Sequence, residues 1–117
     1  MNQKQIDGRK AENLAEAYLL QQGMEILYRN YRCRRGEIDL IGTEGDILVF
    51  VEVKARRTGR FGYPGEAVDV RKQKHICRTA TYFCWKEKIE TGRQIRFDVV
   101  EVLGNQIRHI KDAFDYC

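Results

Sequence analysis

The chain has 117 residues, the length of one domain, and its 43% hydrophobic content is enough for one core, which excludes wholesale disorder. Lys and Arg total 21 against 17 Asp and Glu, a net charge of +4 that admits a polyanionic partner without requiring one. The single proline, Pro64, excludes collagen-like and proline-rich linker readings. Met1 to Asp7 lack the apolar core of a signal peptide. The longest apolar run, Ile47 to Val51, is far below the roughly 20 residues of a membrane span. A cytoplasmic protein with no membrane contact is expected.

In chain order, Ala11, Leu14, Ala15, Tyr18 and Leu19 recur at helical spacing, which predicts a helix from about Gln5 to Gln22 with Gly23 as its stop. Met24 to Arg32, with Ile26, Tyr28 and Tyr31, reads as a strand. Gly36 to Ile41 and Asp46 to Lys54 read as a hairpin joined by the polar turn Gly42-Thr43-Glu44-Gly45. Ala55 to Gly65 is a basic, glycine-rich loop without periodicity. A second helix is predicted from about Val70 to Lys88, its buried stripe formed by Ile76, Ala80, Phe83 and Cys84. Two late strands, Gln94 to Leu103 and Gln106 to Ile110, flank a Gly104-Asn105 turn, and Lys111 to Cys117 is too short to classify. The order αβββαββ predicts a single α/β domain over residues 1–117, with helices packed on a mixed central sheet.

Cys33, Cys77, Cys84 and Cys117 contain no Cys-x-x-Cys pair, so the common zinc pattern is absent and free thiols are expected. Cys77 and Cys84 stand about 10 Å apart along one helix, too far for a disulfide. His75 and His109 are isolated and read as surface or structural residues.

The chemistry concentrates in Gly36-Glu37-Ile38-Asp39-Leu40-Ile41 and Val49-Phe50-Val51-Glu52-Val53-Lys54. Side chains alternate along a strand, so Glu52 and Lys54 share a face while Val51 and Val53 take the other, with Ile38 and Leu40 expected on that buried side. A turn centred near residues 45 and 46 sets Asp39 opposite Glu52, or one pair along, opposite Phe50. Either register gathers Asp39, Glu52 and Lys54 on one face, whereas a slip by one residue would separate them. Two carboxylates beside a core are unfavourable unless a cation lies between them. A divalent metal fills that role, with Asp39, Glu52 and the Val53 carbonyl as oxygen ligands. Lys54 would then orient or deprotonate water and stabilise the charge of a phosphodiester transition state. A salt-bridged exposed face is the rival reading.

Glu12, at the border of the apolar face of the first helix, is a candidate auxiliary carboxylate. Lys72 and Gln73 extend the inward stripe of the second helix at its N-terminal end, where an anion or a metal-bound water would justify polar groups. Around this acidic centre stand Arg29, Arg32, Arg34 and Arg35, then Arg56, Arg57 and Arg60, then Arg71 and Lys74. Such a surround would neutralise backbone phosphates without reading sequence. No helix-turn-helix or zinc finger is evident.

Asp39 followed by Glu52-Val53-Lys54 in an αβββαβ frame resembles the PD-(D/E)XK nuclease superfamily and its Holliday junction resolvase-like branch. More closely, the chain is similar to the YraN-like family of bacterial proteins described as predicted endonucleases. The matching residues include Gly8, Glu12, Ala15, Tyr18, Leu19 and Gly23, the two strand motifs, and Lys72-Gln73. Arg96-Phe97-Asp98-Val99-Val100 and Ile110-Lys111-Asp112-Ala113-Phe114 complete them. The superfamily's first-motif proline has no counterpart, since Ile38 precedes Asp39. The resemblance implies a restriction-endonuclease-like fold, Asp39 and Glu52 as ligands of Mg²⁺ or Mn²⁺, and Lys54 as the catalytic lysine. It also implies Glu12 as an auxiliary acid, Gln73 with Lys72 as supporting polar groups, and a DNA substrate. Junction resolvases often act as dimers, so it permits a homodimer.

The expectation is therefore a metal-dependent endonuclease hydrolysing phosphodiesters in DNA, with branched or otherwise structured DNA as the candidate preference. Arg34, Arg35, Arg56, Arg57, Arg60 and Lys72 are the candidate nucleic-acid contacts. The alternatives are a nucleic-acid-binding module that keeps the fold without cleavage, and a small interaction protein whose charge cluster is structural.

Overall fold

The computed structural model describes residues 3–56 and 59–117, with side-chain surroundings from residue 8 onward; Arg57 lies outside the described residues. In chain order the elements are α1 (Gln3–Gln21), β1 (Glu25–Cys33), β2 (Gly36–Glu44) and β3 (Ile47–Arg56). A 3₁₀ turn, Pro64–Glu66, leads to α2 (Val70–Lys86), and β4 (Ile95–Leu103) and β5 (Gln106–Phe114) close the fold. This is the expected α/β domain. Its five strands lie in the order β1-β2-β3-β4-β5, all antiparallel except the β3–β4 pair. That parallel pair requires a crossover, and α2 supplies it.

The apolar stripe of α1 buries Ala11, Ala15 and Leu19 against one face of the sheet, on Leu40, Val49, Val51, Val100 and Val102. The helix ends in a Schellman turn: Gly23 takes φ 93°, the Met24 amide donates to the Leu19 carbonyl, and the Gly23 amide donates to Leu20. The stripe of α2 buries Ile76, Cys77, Ala80 and Phe83 against the other face, on Ile38, Ile41, Phe50, Phe97 and Val99. Asp69 caps this helix by accepting the Lys72 amide at 2.8 Å.

Several boundaries differ from the sequence expectation; β3, for one, runs on through Ala55 and Arg56, which were expected to open the basic loop. The β2–β3 turn contains only Gly45 and Asp46, and Gly42, Thr43 and Glu44 continue β2. Gly42 is a close-approach glycine, since a Cβ there would meet the Glu25 carbonyl oxygen at 2.4 Å. The tail also carries strand, because β5 runs on to Phe114 across an irregularity at Asp112, whose φ is 54°. Phe114 stacks on Phe97 at 5.0 Å, and that contact holds the extension on the sheet.

All four cysteines are free thiols, with Cys77 buried and Cys117 exposed. Burial, followed by a hydrogen bond with the Cys117 thiol, pushes the Cys77 thiol up to about 11. At pH 8 only about one Cys77 in a thousand is then thiolate. Brief treatment of the native protein with a thiol reagent at pH 8 is expected to leave Cys77 unmodified, while denaturant exposes all four. Peptide mapping that finds Cys77 modified first would contradict its placement.

Candidate functional site

The β2–β3 ladder runs from Glu44 opposite Ile47 to Leu40 opposite Val51 and stops there. This is the register that sets Asp39 against Glu52, as the hairpin arithmetic requires. Beyond Leu40 the alternation breaks. Ile38 packs in the α2 layer and Leu40 in the α1 layer, yet Ile41 is again in the α2 layer. Leu40, Val51 and Val53 share the α1 layer as expected, whereas Ile38, expected with them, lies in the other layer. The cause lies on the neighbouring strand. Arg29 pairs with Leu40 and Tyr31 with Ile38, which leaves Asn30, in the left-handed region at φ 51°, facing Asp39. Asparagine tolerates that conformation better than most residues.

At this break the Asp39 carboxylate takes over the role of a strand carbonyl. Its Oδ2 accepts the Val53 amide at 2.7 Å. Glu52 is within hydrogen-bonding reach of Asp39. Burial first, then the charge and hydrogen bond of Glu52, push the Asp39 carboxyl up to about 8, against the opposing pull of the Val53 amide. With no cation between them, the nearby Glu52 charge and the burial of the site keep the Asp39 carboxyl protonated well above the ordinary carboxylate range. Glu12 approaches from α1. Burial, followed by the charge of Asp39, raises its pKa, and a hydrogen bond with Asn30 works the other way.

Lys54, two residues beyond Glu52 on β3, reaches the segment that enters α2. The Lys54 ammonium donates to the Ala67 carbonyl at 2.7 Å, which holds it against the segment entering α2. Lys72 Nζ stands 3.6 Å from Glu52 Oε2, so this candidate nucleic-acid contact also meets a site carboxylate. Gln73 Nε2 donates to the Val68 carbonyl at 2.9 Å, fixing the same segment. Asp39, Glu52 and Lys72 thus meet and the charge of Asp39 reaches Glu12, while Lys54 and Gln73 hold the neighbouring carbonyls of Ala67 and Val68. Among the described residues, no three His, Cys, Asp or Glu side chains are close enough to form a metal cluster. Of the oxygen donors expected for a cation, the structure brings the Asp39 and Glu52 carboxyls together beside the Val53 amide.

The expected basic surround divides. Arg29 pairs with Glu16 and Arg32 with Glu37, while Arg56 Nε donates to Glu101 Oε2 at 2.6 Å. Arg60 is exposed, and Arg34 and Arg35 form the two-residue turn between β1 and β2.

Sequence reasoning assigned no role to Asn30, Asp98 or Glu101. Glu101 is fully buried on β4, beside Lys54 in the parallel register, and holds both Arg56 and Arg108. Burial works to raise its pKa, but the hydrogen bonds from Arg108 and Arg56 outweigh that and hold it below the ordinary value. This clamp ties the C-terminal end of β3, which carries Lys54, to β4 and β5. Asp98 is equally buried. It accepts from Arg96 and from the Asp112 amide, and lies 2.7 Å from His109 Nε2. The available signal was an acid set among valines and phenylalanine in Phe97-Asp98-Val99-Val100-Glu101-Val102.

The model of the uncharacterised protein family UPF0102 matches residues 11–102. The chain belongs to that family. The match spans the C-terminal half of α1, the break at Asp39, the Glu52-Val53-Lys54 segment and most of β4. UPF0102 relatives agree along almost the whole length. The UPF0102 protein of Lachnoclostridium phytofermentans is 46% identical over 112 residues, covering 96% of this chain and 95% of the relative. That of Persephonella marina is 42% identical over 110 residues, covering 94% of each. That of Rhodococcus opacus is 47% identical over 112 residues, covering 92% of this chain and 94% of the relative. No described helix of this UPF0102 chain is long and apolar enough to cross a membrane.

Proposed function

We propose that this UPF0102 chain is a metal-dependent endonuclease that hydrolyses phosphodiester bonds in DNA, within the PD-(D/E)XK superfamily. The observation that carries the reading is the Asp39–Glu52 carboxyl pair, held at a break in the sheet with Lys54 two residues further along the same strand. The donor set suits a hard divalent cation such as Mg²⁺ or Mn²⁺. Asp39 and Glu52 would hold it with the Val53 carbonyl, and its charge would replace the proton that the Asp39 carboxyl otherwise keeps. Bound there, such an ion would make a coordinated water more acidic and would neutralise phosphate charge.

The chain's own groups supply the rest. Lys54, anchored on the Ala67 carbonyl, retains donors for a phosphoryl oxygen and offers positive charge where the transition state gains negative charge. Water oxygen bonds to phosphorus, the phosphorus–oxygen ester bond breaks, and the departing oxygen ends protonated. The clamp of Arg56, Glu101 and Arg108 fixes the strand that carries Lys54, so the ammonium is positioned before substrate arrives.

A second reading, a nucleic-acid-binding module without cleavage, is favoured by one observation. Among the described residues no third carboxylate completes a cluster around Asp39 and Glu52. Incubation with duplex, four-way-junction and flap DNA separates the two readings. The nuclease reading expects strand cleavage with Mg²⁺ or Mn²⁺ and none in EDTA. Binding to DNA with no cleavage of any substrate in either metal would establish the second reading.

A further inference from the structure

The arginines of the described chain are unequally occupied. Arg29, Arg32, Arg56, Arg96 and Arg108 each meet a carboxylate. Arg34, Arg35 and Arg78 meet none among the described residues, and these three line one groove of about 650 Å³. Arg34 and Arg35 are the tip of the β1–β2 hairpin. Arg78 projects from the outward side of α2, next to Tyr82 and Trp85, which complete the aromatic wall.

That wall is unusual for a helix surface. Trp85 is 75% exposed, the largest apolar side chain left in solvent, and its ring lies 5.9 Å from that of Tyr82. A shallower hollow continues past the two rings to Lys86 and Lys88. Among the described residues no Asp or Glu side chain lines the groove or its extension. Flat aromatic faces combined with unpaired guanidiniums are the chemistry that grips unpaired nucleotides: bases stack on the rings and phosphates meet the cations. A continuous duplex offers no free base face, so it would satisfy the arginines and leave the rings uncovered.

We propose that this groove binds an unpaired stretch of the nucleic acid. Its bases stack on Trp85 and Tyr82, and its phosphates sit on Arg34, Arg35 and Arg78. The choice of nucleic acid as occupant rests on the nuclease reading, whereas the stacking site rests on the groove's own residues. The two are adjacent in the chain. Asp39 follows Arg35 by four residues of β2, at most about 14 Å along an extended strand. The substrate class is then DNA with a single-stranded portion next to the cleaved bond, such as a flap, a fork or an open junction.

Trp85 is the only tryptophan, so its emission reports stacking directly. The test is a fluorescence titration in EDTA, where cleavage does not enter, with single-stranded oligothymidylate and with a blunt duplex of equal length. Saturable quenching by the single strand, with the duplex at least about tenfold weaker, is expected. Arg34→Gln combined with Arg78→Gln keeps the reporter and should flatten the salt dependence of binding by about 0.7 log units per arginine. Trp85→Ala, followed by anisotropy of a labelled oligonucleotide, should weaken binding at least about tenfold. All three positions are at the surface, so the fold should be retained.

Quenching as strong with the duplex, or oligonucleotide binding unchanged in Trp85→Ala, would overturn the proposal. So would a dimer that shields Trp85 and ignores the oligonucleotide. Quenching by the single strand in a protein that cleaves no DNA would leave the groove standing and remove the nuclease reading. Cleavage of DNA without quenching would do the reverse.

Discussion

Asp39→Asn is expected to lose DNA cleavage by about 10³-fold or more while melting higher than the wild type in metal-free alkaline buffer. The substitution keeps the shape and leaves an oxygen to accept the Val53 amide, so the local break in the sheet survives. It removes the charge that a divalent cation needs, and with it the cleavage. The stability effect has the opposite sign. The Asp39 carboxyl is raised to about 8 in the folded protein, well above its value in an unfolded chain. The folded state therefore holds a proton that the unfolded state has released, and the wild type loses stability as pH rises from about 4 to about 8. Asparagine carries no such proton, so its melting temperature should decline less across that range. Mn²⁺ should stabilise the wild type, increasingly so toward pH 8, because the ion replaces the proton. A metal-free melting profile identical for both proteins from pH 5 to 9 would show that Asp39 is not the strained acid described above.

Asp98→Ala carries the largest expected cost to the fold, about 3–5 kcal/mol in a urea unfolding measurement at pH 7. The side chain is fully buried and its removal strands Arg96, the His109 ring and the Asp112 amide together. Arg96 keeps Glu44, which limits the loss on that side. Burial alone would raise the Asp98 pKa, yet its hydrogen bonds from His109, Arg96 and Asp112 hold it below the ordinary carboxylate value. A lowered folded pKa contributes stability that is present above the unfolded value and lost as pH falls through the folded one. The wild type should therefore weaken below about pH 4, with a flatter acid limb in Asp98→Ala. A cost below about 1 kcal/mol would mean that the network is only a surface ion pair.

The hairpin and both helices were legible because their signals are local. The 3.6-residue stripe of Ala11, Ala15 and Leu19 and the α2 stripe reach the core intact. So did the register, because a two-residue turn leaves few ways to pair two apolar strands. Gly42 was misread because a glycine demanded by a neighbouring carbonyl looks, in sequence, like a turn. The meeting of Asp39 with Glu52 was expected from strict alternation, whereas the chain achieves it by breaking alternation at Asn30. That break depends on one backbone conformation in a different strand. The pairing of Arg56 with Glu101 and of Lys72 with Glu52 depends on tertiary contacts, and no sequence rule separates such cations from those left free to meet phosphate.

The central claim is a divalent-cation site at Asp39 and Glu52, and calorimetric titration of Mn²⁺ into the purified protein tests it most directly. The expected result is one ion bound per chain to the wild type, with binding lost in Asp39→Asn and in Glu52→Gln. No binding to the wild type, or equal binding to all three proteins, would contradict the claim.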